Sequence, residues 1–253
     1  MPFASIALPQ GLIAFILFML CTTCHADNNR LNSVVLAVED SWPPYAGAKG
    51  QGIATDIVKQ AFAAVEIKSF VKAFPYARVL AEIEKGTVVG GYNVTRQAST
   101  EEQFLFGEQV LLTAAASFYF QENNTQVLQY KSISDIPDGT RIGLIINYEY
   151  GDSFEQDQHR FKQVRVSSQR QIINMLKLGR IDSAIMFDKV ASHTLNSMGL
   201  DQNAIKKGPL NHTSDIYVAF SRTHQYAQFF ANKLDEGLLL LKESGQYSKL
   251  LQN

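Results

Sequence analysis

The chain alternates helical and strand-like patterns of apolar residues, and one stretch shows both most clearly. Ile172, Met175 and Leu176 recur at the spacing of one helix face, and Gly179 marks the end of that helix. The short apolar run 181–186 follows directly. A run of this length and composition predicts a strand that is covered on both faces.

An earlier stretch repeats this order of helix, glycine and strand. A predicted amphipathic helix ends at Gly86, and residues 88–94 form the apolar run. Thr95 lies nine residues after Gly86, and Asp188 lies nine residues after Gly179. The repeat predicts two lobes, each with a polar side chain at the carboxyl end of a strand, where open α/β sheets bind ligands. Because this order is common in α/β proteins, it indicates architecture more than function.

The remaining patterns place further strands and helices around these two units. Apolar runs predict strands, and helical periodicity predicts helices, which alternate as in a parallel α/β lobe. Strands are predicted over 33–38, 67–71, 114–120, 141–146, 164–166 and 215–220, and helices over 55–65 and 225–241. The last strand and helix cannot build a third domain, so we expect them to return to the first lobe. Two crossings, near 115–125 and 205–217, then define a hinge and a cleft. The predicted boundaries are 27–116 plus 216–253 for lobe 1 and 117–215 for lobe 2.

Residues 1–26 differ from the rest of the chain. The apolar run 11–21 is shorter than the roughly 20 residues that span a bilayer. Cys24 and Ala26 place small residues where a signal peptidase reads, which predicts a signal peptide cleaved before Asp27 and a periplasmic location. Because residues 1–26 contain no Lys or Arg, an uncleaved anchor or a lipoprotein stays the alternative.

Composition narrows the chemistry. Both cysteines lie in residues 1–26, so the mature chain would contain no disulfide, thiol nucleophile or thiolate metal site. The 23 basic and 24 acidic residues form no basic stripe, which argues against nucleic acid and anionic membranes as partners. The five histidines are scattered without ligand spacing. We therefore expect no metal and no cofactor.

The single tryptophan is the clearest candidate for ligand contact. Trp42 follows the first predicted strand on a loop with two prolines, which cannot be helical. It could form a rigid aromatic wall for a ligand, or simply pack over the surface of a lobe. Together with the predicted cleft aromatics Tyr45, Tyr92 and Tyr148, it hints at a flat or cationic ligand group.

Several segments in order resemble the bacterial extracellular solute-binding proteins of family 3, the periplasmic receptors of polar amino-acid uptake systems. The resemblance covers the whole mature chain. It is carried by WPPY, GIATDIV, PYARVLAEIEKG, NVTRQASTEEQFLFGE, SISDIPDGTRIGLIINYEYGDSF, INMLKLGRID, DIYVAFS and LLLLKESGQYSKLL. It implies an α/β fold of two lobes (the type II periplasmic-binding-protein fold), with a hinge and a ligand cleft between them.

The resemblance also implies roles for individual residues. Trp42 resembles the aromatic residue that stacks on the ligand, with Tyr45 beside it, and Thr95 matches the position at the end of a strand that receives the ligand. Asn147 and Tyr148 replace the loop that contacts a ligand carboxylate in lobe 2.

Asp188 resembles the acid that pairs with a ligand ammonium, although it could equally cap the following helix. It lies one residue farther from Arg180 than is usual, so Phe187 or Met186 is the alternative cleft residue.

One position departs from the family pattern. Glu101 stands where such proteins carry an arginine that clamps the ligand carboxylate. Arg78 and Arg96 are candidate substitutes at other spacings, and Arg78 could instead be a solvated residue at a helix end. The departure argues against an ordinary α-amino acid as the ligand.

The sequence thus predicts a monomeric binding protein without catalytic residues, which captures a small polar, amino-acid-like solute for the membrane permease of an ABC transporter. One alternative is an enzyme on the same fold, of dehydratase type, with Glu39, Asp40, Glu149 and Asp188 as candidate acid–base groups. The other is a free sensory protein.

Overall fold

The computed structural model describes residues 31–252, so the predicted signal peptide lies outside the described residues. Within this range, no helix is long and apolar enough to cross a membrane.

The first half of the sheet is built from three parallel strands with two helices between them. The central strand of the three is apolar and buried, whereas the neighbouring edge strand alternates between partly buried and exposed residues. These elements are β1 Ser33–Glu39, α1 Ile53–Ala64, β2 Lys68–Phe74, α2 Tyr76–Glu84 and β3 Gly90–Thr95. A short helix, α3 Ala98–Gln103, and a short strand, β4 Phe104–Phe106, follow. β1 lies between β2 and β3 in the sheet.

The second half repeats the parallel arrangement with smaller elements. Its central strand, β6 Arg141–Ile145, pairs with β7 Lys162–Val166 on one side and β8 Ser183–Phe187 on the other. The helices are α4 Asp152–Asp157, α5 Gln169–Lys177 and α6 Asp188–Ser197. All residues of β8 are buried, as its apolar sequence predicts.

Two long antiparallel strands join the halves into one nine-stranded sheet. β5 Leu112–Gln121 and β9 Ile205–Ser221 pair from Leu112–Ile216 to Gln121–Ile205. The strand order is β2-β1-β3-β9-β5-β8-β6-β7, with β4 pairing β9. The sequence predicts only 215–220 of β9, because 205–214 is polar and contains Gly208 and Pro209. The β5–β9 register shifts near this dipeptide, where proline has no N–H to donate.

The last two helices, α7 Ala227–Glu243 and α8 Gln246–Leu250, follow β9. α7 packs on α1, where the rings of Phe62 and Phe230 lie 6.3 Å apart. Gly237 permits this packing, since a Cβ at that position would stand 2.0 Å from the carbonyl oxygen of Ala61. The C-terminal segment thus covers one face of the first half of the sheet.

Candidate ligand-binding cleft

A small cavity lies between the halves, at the carboxyl ends of parallel strands from both of them. Its volume is about 10 Å³, room for about one water molecule. Its lining consists of Glu39, Trp42, Tyr76, Asn93, Thr95, Tyr148, Glu149, Phe187 and Ile216. This is where ligands bind in open α/β sheets, and the halves are closed over it.

The loop after β1 places Trp42 in the wall of the cavity. The backbone of Trp42 exchanges two hydrogen bonds with Ala46, of 3.1 and 2.9 Å, which fixes the proline-containing loop between them. The indole is 1% exposed. Its ring centroid lies 4.4 Å from that of Tyr45 in the same loop and 5.1 Å from that of Phe187 at the end of β8. Trp42 therefore contacts an aromatic residue of the second half.

The loop after β6 supplies the facing wall. Asn147 adopts a left-handed conformation with φ of 62°, which turns the chain, and its own side chain is exposed. The next three residues, Tyr148, Glu149 and Tyr150, are buried. The hydroxyl oxygen of Tyr150 accepts a 2.6 Å hydrogen bond from the backbone N–H of Ile145, which holds the loop against its own strand.

Within residues 31–252, two side-chain hydrogen bonds cross the cleft between the halves, and each joins a tyrosine hydroxyl to a buried carboxyl group. Tyr148 of the second half donates a short bond to Glu39 of the first. Tyr76 of the first half donates a 2.8 Å bond to Glu149 of the second. The two tyrosine rings meet edge to face, with centroids 4.9 Å apart. The contacts are reciprocal, because each half provides one donor and one acceptor.

Burial dominates the electrostatics of the two carboxyl groups, which are 3% and 9% exposed. Loss of hydration raises the pKa of Glu39 to about 8; the bond from Tyr148 opposes this, and the charges of Asp40 and Glu149 add to it. Burial likewise raises the pKa of Glu149 to about 7, against the hydrogen bond from Tyr76. At pH 7 in the closed cleft, Glu39 therefore holds its proton, and Glu149 lies near the midpoint of its titration.

Polar atoms in the cavity wall are left without partners. The Trp42 indole N–H and both polar side-chain atoms of Asn93 are buried and have no hydrogen-bond partner within residues 31–252. Asn93 also has a φ of 72°, at an irregularity in the β3–β9 pairing. Buried polar groups normally find partners, and strained residues concentrate at functional sites. Both features single out this part of the wall as a place for a polar ligand.

Other residues predicted from the sequence lie at or behind the cavity. Thr95 lines it, and its carbonyl oxygen accepts a 2.8 Å bond from Thr100. Tyr92 lies outside the lining, and its hydroxyl shares a 2.8 Å hydrogen bond with that of Thr55 within the first half. Tyr45 supports Trp42 from the same loop.

The charged candidates lie outside the lining. The Arg78 side chain is 62% exposed and pairs with Glu82. Arg96 pairs with Glu101 at 2.5 Å and packs over the ring of Tyr217.

Asp188, the first residue of α6, points elsewhere as well. It accepts a 2.9 Å hydrogen bond from Tyr119 and pairs with Lys207 at 2.7 Å. Phe187, the alternative given by the spacing, lines the cavity in its place.

Six lining residues are absent from the binding set that the sequence predicts: Glu39, Tyr76, Asn93, Glu149, Phe187 and Ile216. Of these, the sequence offers Phe187 only as the alternative to Asp188. The sequence predicts Glu39 and Glu149 only as acid–base candidates for an enzyme. The position of both glutamates just after an apolar strand segment could have identified them, because the same kind of position identifies Trp42. No pattern in the sequence pairs Tyr76 with Glu149, 73 positions apart.

The cavity offers two carboxyl groups, fewer than the usual ligand set of a metal site. In residues 31–252, no three His, Asp or Glu side chains come together as metal ligands.

No family model matches the chain, and no curated protein sequence matches it. Similar solved structures are numerous. One is an amino acid ABC transporter substrate-binding protein, AbpA, from Streptococcus pneumoniae bound to L-arginine. It is 17% identical, with 88% of this chain and 94% of that chain covered and a TM-score of 0.73. A histidine kinase sensor domain with similarity to periplasmic binding proteins is 12% identical, with 88% and 96% covered and a TM-score of 0.77.

The chain has the two-lobe fold of periplasmic binding proteins. The two halves of the sheet are its lobes, and the cavity lies in the cleft between them. A third similar structure with this fold is the ancestral amino acid-binding protein AncCDT-1, a precursor of cyclohexadienyl dehydratase. It is 13% identical, with 88% and 95% covered and a TM-score of 0.71. At these identities, the likeness establishes the fold of the chain and leaves its ligand open.

Proposed function

We propose that the protein is a periplasmic solute-binding protein of the family 3 type, which captures a small polar solute in the inter-lobe cleft. The observation that carries this is the cavity at the strand ends, which is closed by residues of both lobes and contains unpartnered polar atoms. The solute then passes to the permease of an ABC transporter; the similar protein from S. pneumoniae is an amino acid ABC transporter substrate-binding protein. The protein acts as a monomer without a catalytic step.

Binding requires the cleft to open, because a cavity of about 10 Å³ cannot hold an amino-acid-sized solute. Opening at β5 and β9 separates Tyr148 from Glu39 and Tyr76 from Glu149. A solute that enters replaces these bonds with its own polar groups, and the lobes close over it. The solute stabilises the ligand-bound closed form only if the free energy of its own contacts exceeds that of the hydrogen bonds that it displaces.

The predicted binding residues take two positions in this proposal. Trp42, Thr95 and Tyr148 contact the solute directly, while Tyr45 and Tyr92 support the wall from behind. The remaining predicted residues Arg78, Arg96 and Asn147 act at the rim when the cleft is open, whereas Asp188 is held by Tyr119 and Lys207 within the second lobe.

A thermal-shift screen tests the proposed function. The protein produced from the full chain is heated with amino acids, polyamines, small peptides and organic acids. A ligand at about 100 times its dissociation constant adds roughly 2.7 kcal/mol, which raises the melting temperature of a chain this size by roughly 5–10 °C. A shift confined to one chemical class supports solute binding. A flat response to all four classes contradicts it.

An enzyme on the same fold is a second candidate, because two buried carboxyl groups with pKa values near neutral suit acid–base catalysis. Glu39 and Glu149, two of the acid–base candidates, lie in one closed cavity. Mass spectrometry of each stabilising solute after incubation with the protein separates the two functions. A solute that loses water favours the enzyme, and one recovered unchanged favours binding.

A further inference from the structure

In the part of the chain that the structure describes, the lining of the cavity contains acidic side chains but no basic ones. Among the described residues that line the cavity there are two carboxyl groups, of Glu39 and Glu149, and no Lys, Arg or His. Each carboxyl group is more than nine-tenths buried. A buried carboxylate is costly unless a positive or hydrogen-bond-donating group pairs with it. Such a site favours a ligand that brings positive charge.

A ligand carboxylate would find no cationic partner in the same wall. Arg78 extends into solvent beside Glu82, and Arg96 is held by Glu101 and by the ring of Tyr217. Arg96 directly follows Thr95, which puts it at the rim of the cleft rather than in the cavity lining. A ligand carboxylate would therefore lie beside the two glutamates with no cation among the described lining residues to balance its charge.

The walls suit a cation. Trp42, Tyr76, Tyr148 and Phe187 surround the two carboxyl groups, and the Tyr148 and Phe187 ring centroids lie 6.3 Å apart. Aromatic faces attract ammonium and guanidinium groups through their quadrupoles, most strongly where water is excluded. The same residues from both lobes thus supply negative charge and aromatic surface.

A second, independent observation marks the site as a place for a ligand. Asn93 is buried in the cavity wall with both its oxygen and its nitrogen unpartnered within residues 31–252. Its side-chain oxygen accepts a hydrogen bond from an N–H donor, which an amine or guanidine offers. Glu39 at the end of β1, Asn93 within β3 and Glu149 in the loop after β6 together present acceptors to the cavity.

We propose that the solute is a small organic cation of the amine or guanidine type that carries no carboxylate, with its N–H groups bound by Glu39 and Glu149. In the ligand-free closed cleft, the hydroxyls of Tyr148 and Tyr76 occupy the acceptors that the cation takes. This inference rests on the proposed function and names the class of its ligand.

Matched pairs of compounds test the inference by isothermal titration calorimetry. The probes are arginine with agmatine and lysine with cadaverine, because each pair shares the cationic end and differs in the α-carboxylate. Glutamine serves as a neutral amino acid. We expect the decarboxylated member of at least one pair to bind at least about tenfold more tightly, since burial of the α-carboxylate without a partner costs about that factor or more.

The variants Glu39→Gln and Glu149→Gln remove one charge each and keep an oxygen that can accept the tyrosine hydrogen bond. Each is expected to weaken amine binding about tenfold to a hundredfold. Glu102→Gln, an exposed glutamate of α3, is the matched control and should leave the affinity unchanged. Circular dichroism melting of every variant shows that the comparison is made between folded proteins.

The outcomes separate this inference from the proposed function. Tighter binding of arginine or lysine than of its decarboxylated partner, or equal loss of affinity in Glu102→Gln, overturns the cation inference while solute binding stands. Binding of glutamine but of no cationic probe also overturns the cation inference and leaves solute binding intact. If no probe binds and the wider thermal-shift screen is also flat, both proposals fail.

Discussion

At the scale of single residues, the two cleft glutamates determine how the protein responds to pH. In an unfolded chain a glutamate titrates near 4.5, whereas burial raises the pKa of Glu39 to about 8 and that of Glu149 to about 7. The charged groups facing Glu39 are Asp40 and Glu149, and Glu155 acts on Glu149. All of them are acidic, so none stabilises the ionised forms.

The sign of the pH effect follows from these shifts. Between pH 4.5 and about 8 the folded protein binds more protons at Glu39 than the unfolded chain does, so this contribution to stability is full below pH 4.5 and is lost as pH rises. We expect the free energy of unfolding of the ligand-free protein to fall by about 1 kcal/mol per pH unit relative to the Glu39→Gln variant. Denaturant unfolding of both proteins at pH 5, 6, 7 and 8 measures the difference. A wild-type free energy of unfolding that stays constant or rises with pH relative to that of the variant would contradict the burial of an uncompensated carboxyl group.

At the scale of elements, the strand ends and the hinge strands act together. The carboxyl ends of β1 and β3 and the segments after β6 and β8 form the cleft, while β5 and β9 connect the lobes. The Tyr148–Glu39 and Tyr76–Glu149 hydrogen bonds are contacts that exist only while the lobes are closed. Their loss should shift the balance between the open and closed forms without unfolding either lobe.

Removal of the two cross-lobe donors tests this directly. The double variant Tyr76→Phe and Tyr148→Phe leaves both carboxyl groups without their partners, at a cost of about 1–3 kcal/mol for each unsatisfied group. We expect the ligand-free cleft to open. Spin labels at cysteines introduced for Lys59 on α1 and Lys177 on α5, both exposed, report the distance between the lobes by pulsed electron paramagnetic resonance.

Tyr92→Phe is the control for the double variant, because its hydroxyl bonds Thr55 within the first lobe. It should lower stability and leave the label distances as in the wild type. If the double variant and the control give the same distance distribution, the cross-lobe bonds do not hold the cleft closed.

Local patterns explain how much of these elements the sequence predicts. The strands at β6 and β8 and the helix at α5 follow from apolar runs and helical spacing, and they appear within a few residues of the predicted bounds. The sequence predicts β9 only over 215–220, because the polar residues of its first part are held by pairing with β5, a contact about 90 positions away in the chain. Pairing at that distance leaves no periodic signal.

The same reason limits prediction of the cleft. Trp42 and Thr95 were found because each is the polar or aromatic residue at the end of an apolar run. The closed cavity itself depends on contacts between lobes, such as Tyr76 with Glu149, and no local pattern records them. Phe187 rather than Asp188 reaches the cavity because Asp188 begins α6 and bonds Tyr119 and Lys207.

At the scale of the whole molecule, the fold makes a ligand-controlled hinge and the lining gives it chemical selectivity. One nine-stranded sheet carries both lobes, and its two connecting strands are the only long β elements shared between them in residues 31–252. Closure brings buried acids, aromatic rings and the unpartnered amide of Asn93 into one small space. The central claim is that a solute binds there.

The fluorescence of Trp42 tests that claim most directly, because it is the single tryptophan of the chain and lies in the cleft wall. Solutes that stabilise the protein against heat are titrated while its emission is recorded. The account predicts a saturable change in intensity or wavelength with the same dissociation constant that calorimetry gives, and its loss in the Glu39→Gln, Glu149→Gln double variant. A stabilising solute that leaves the emission of Trp42 unchanged would show that binding occurs elsewhere on the molecule.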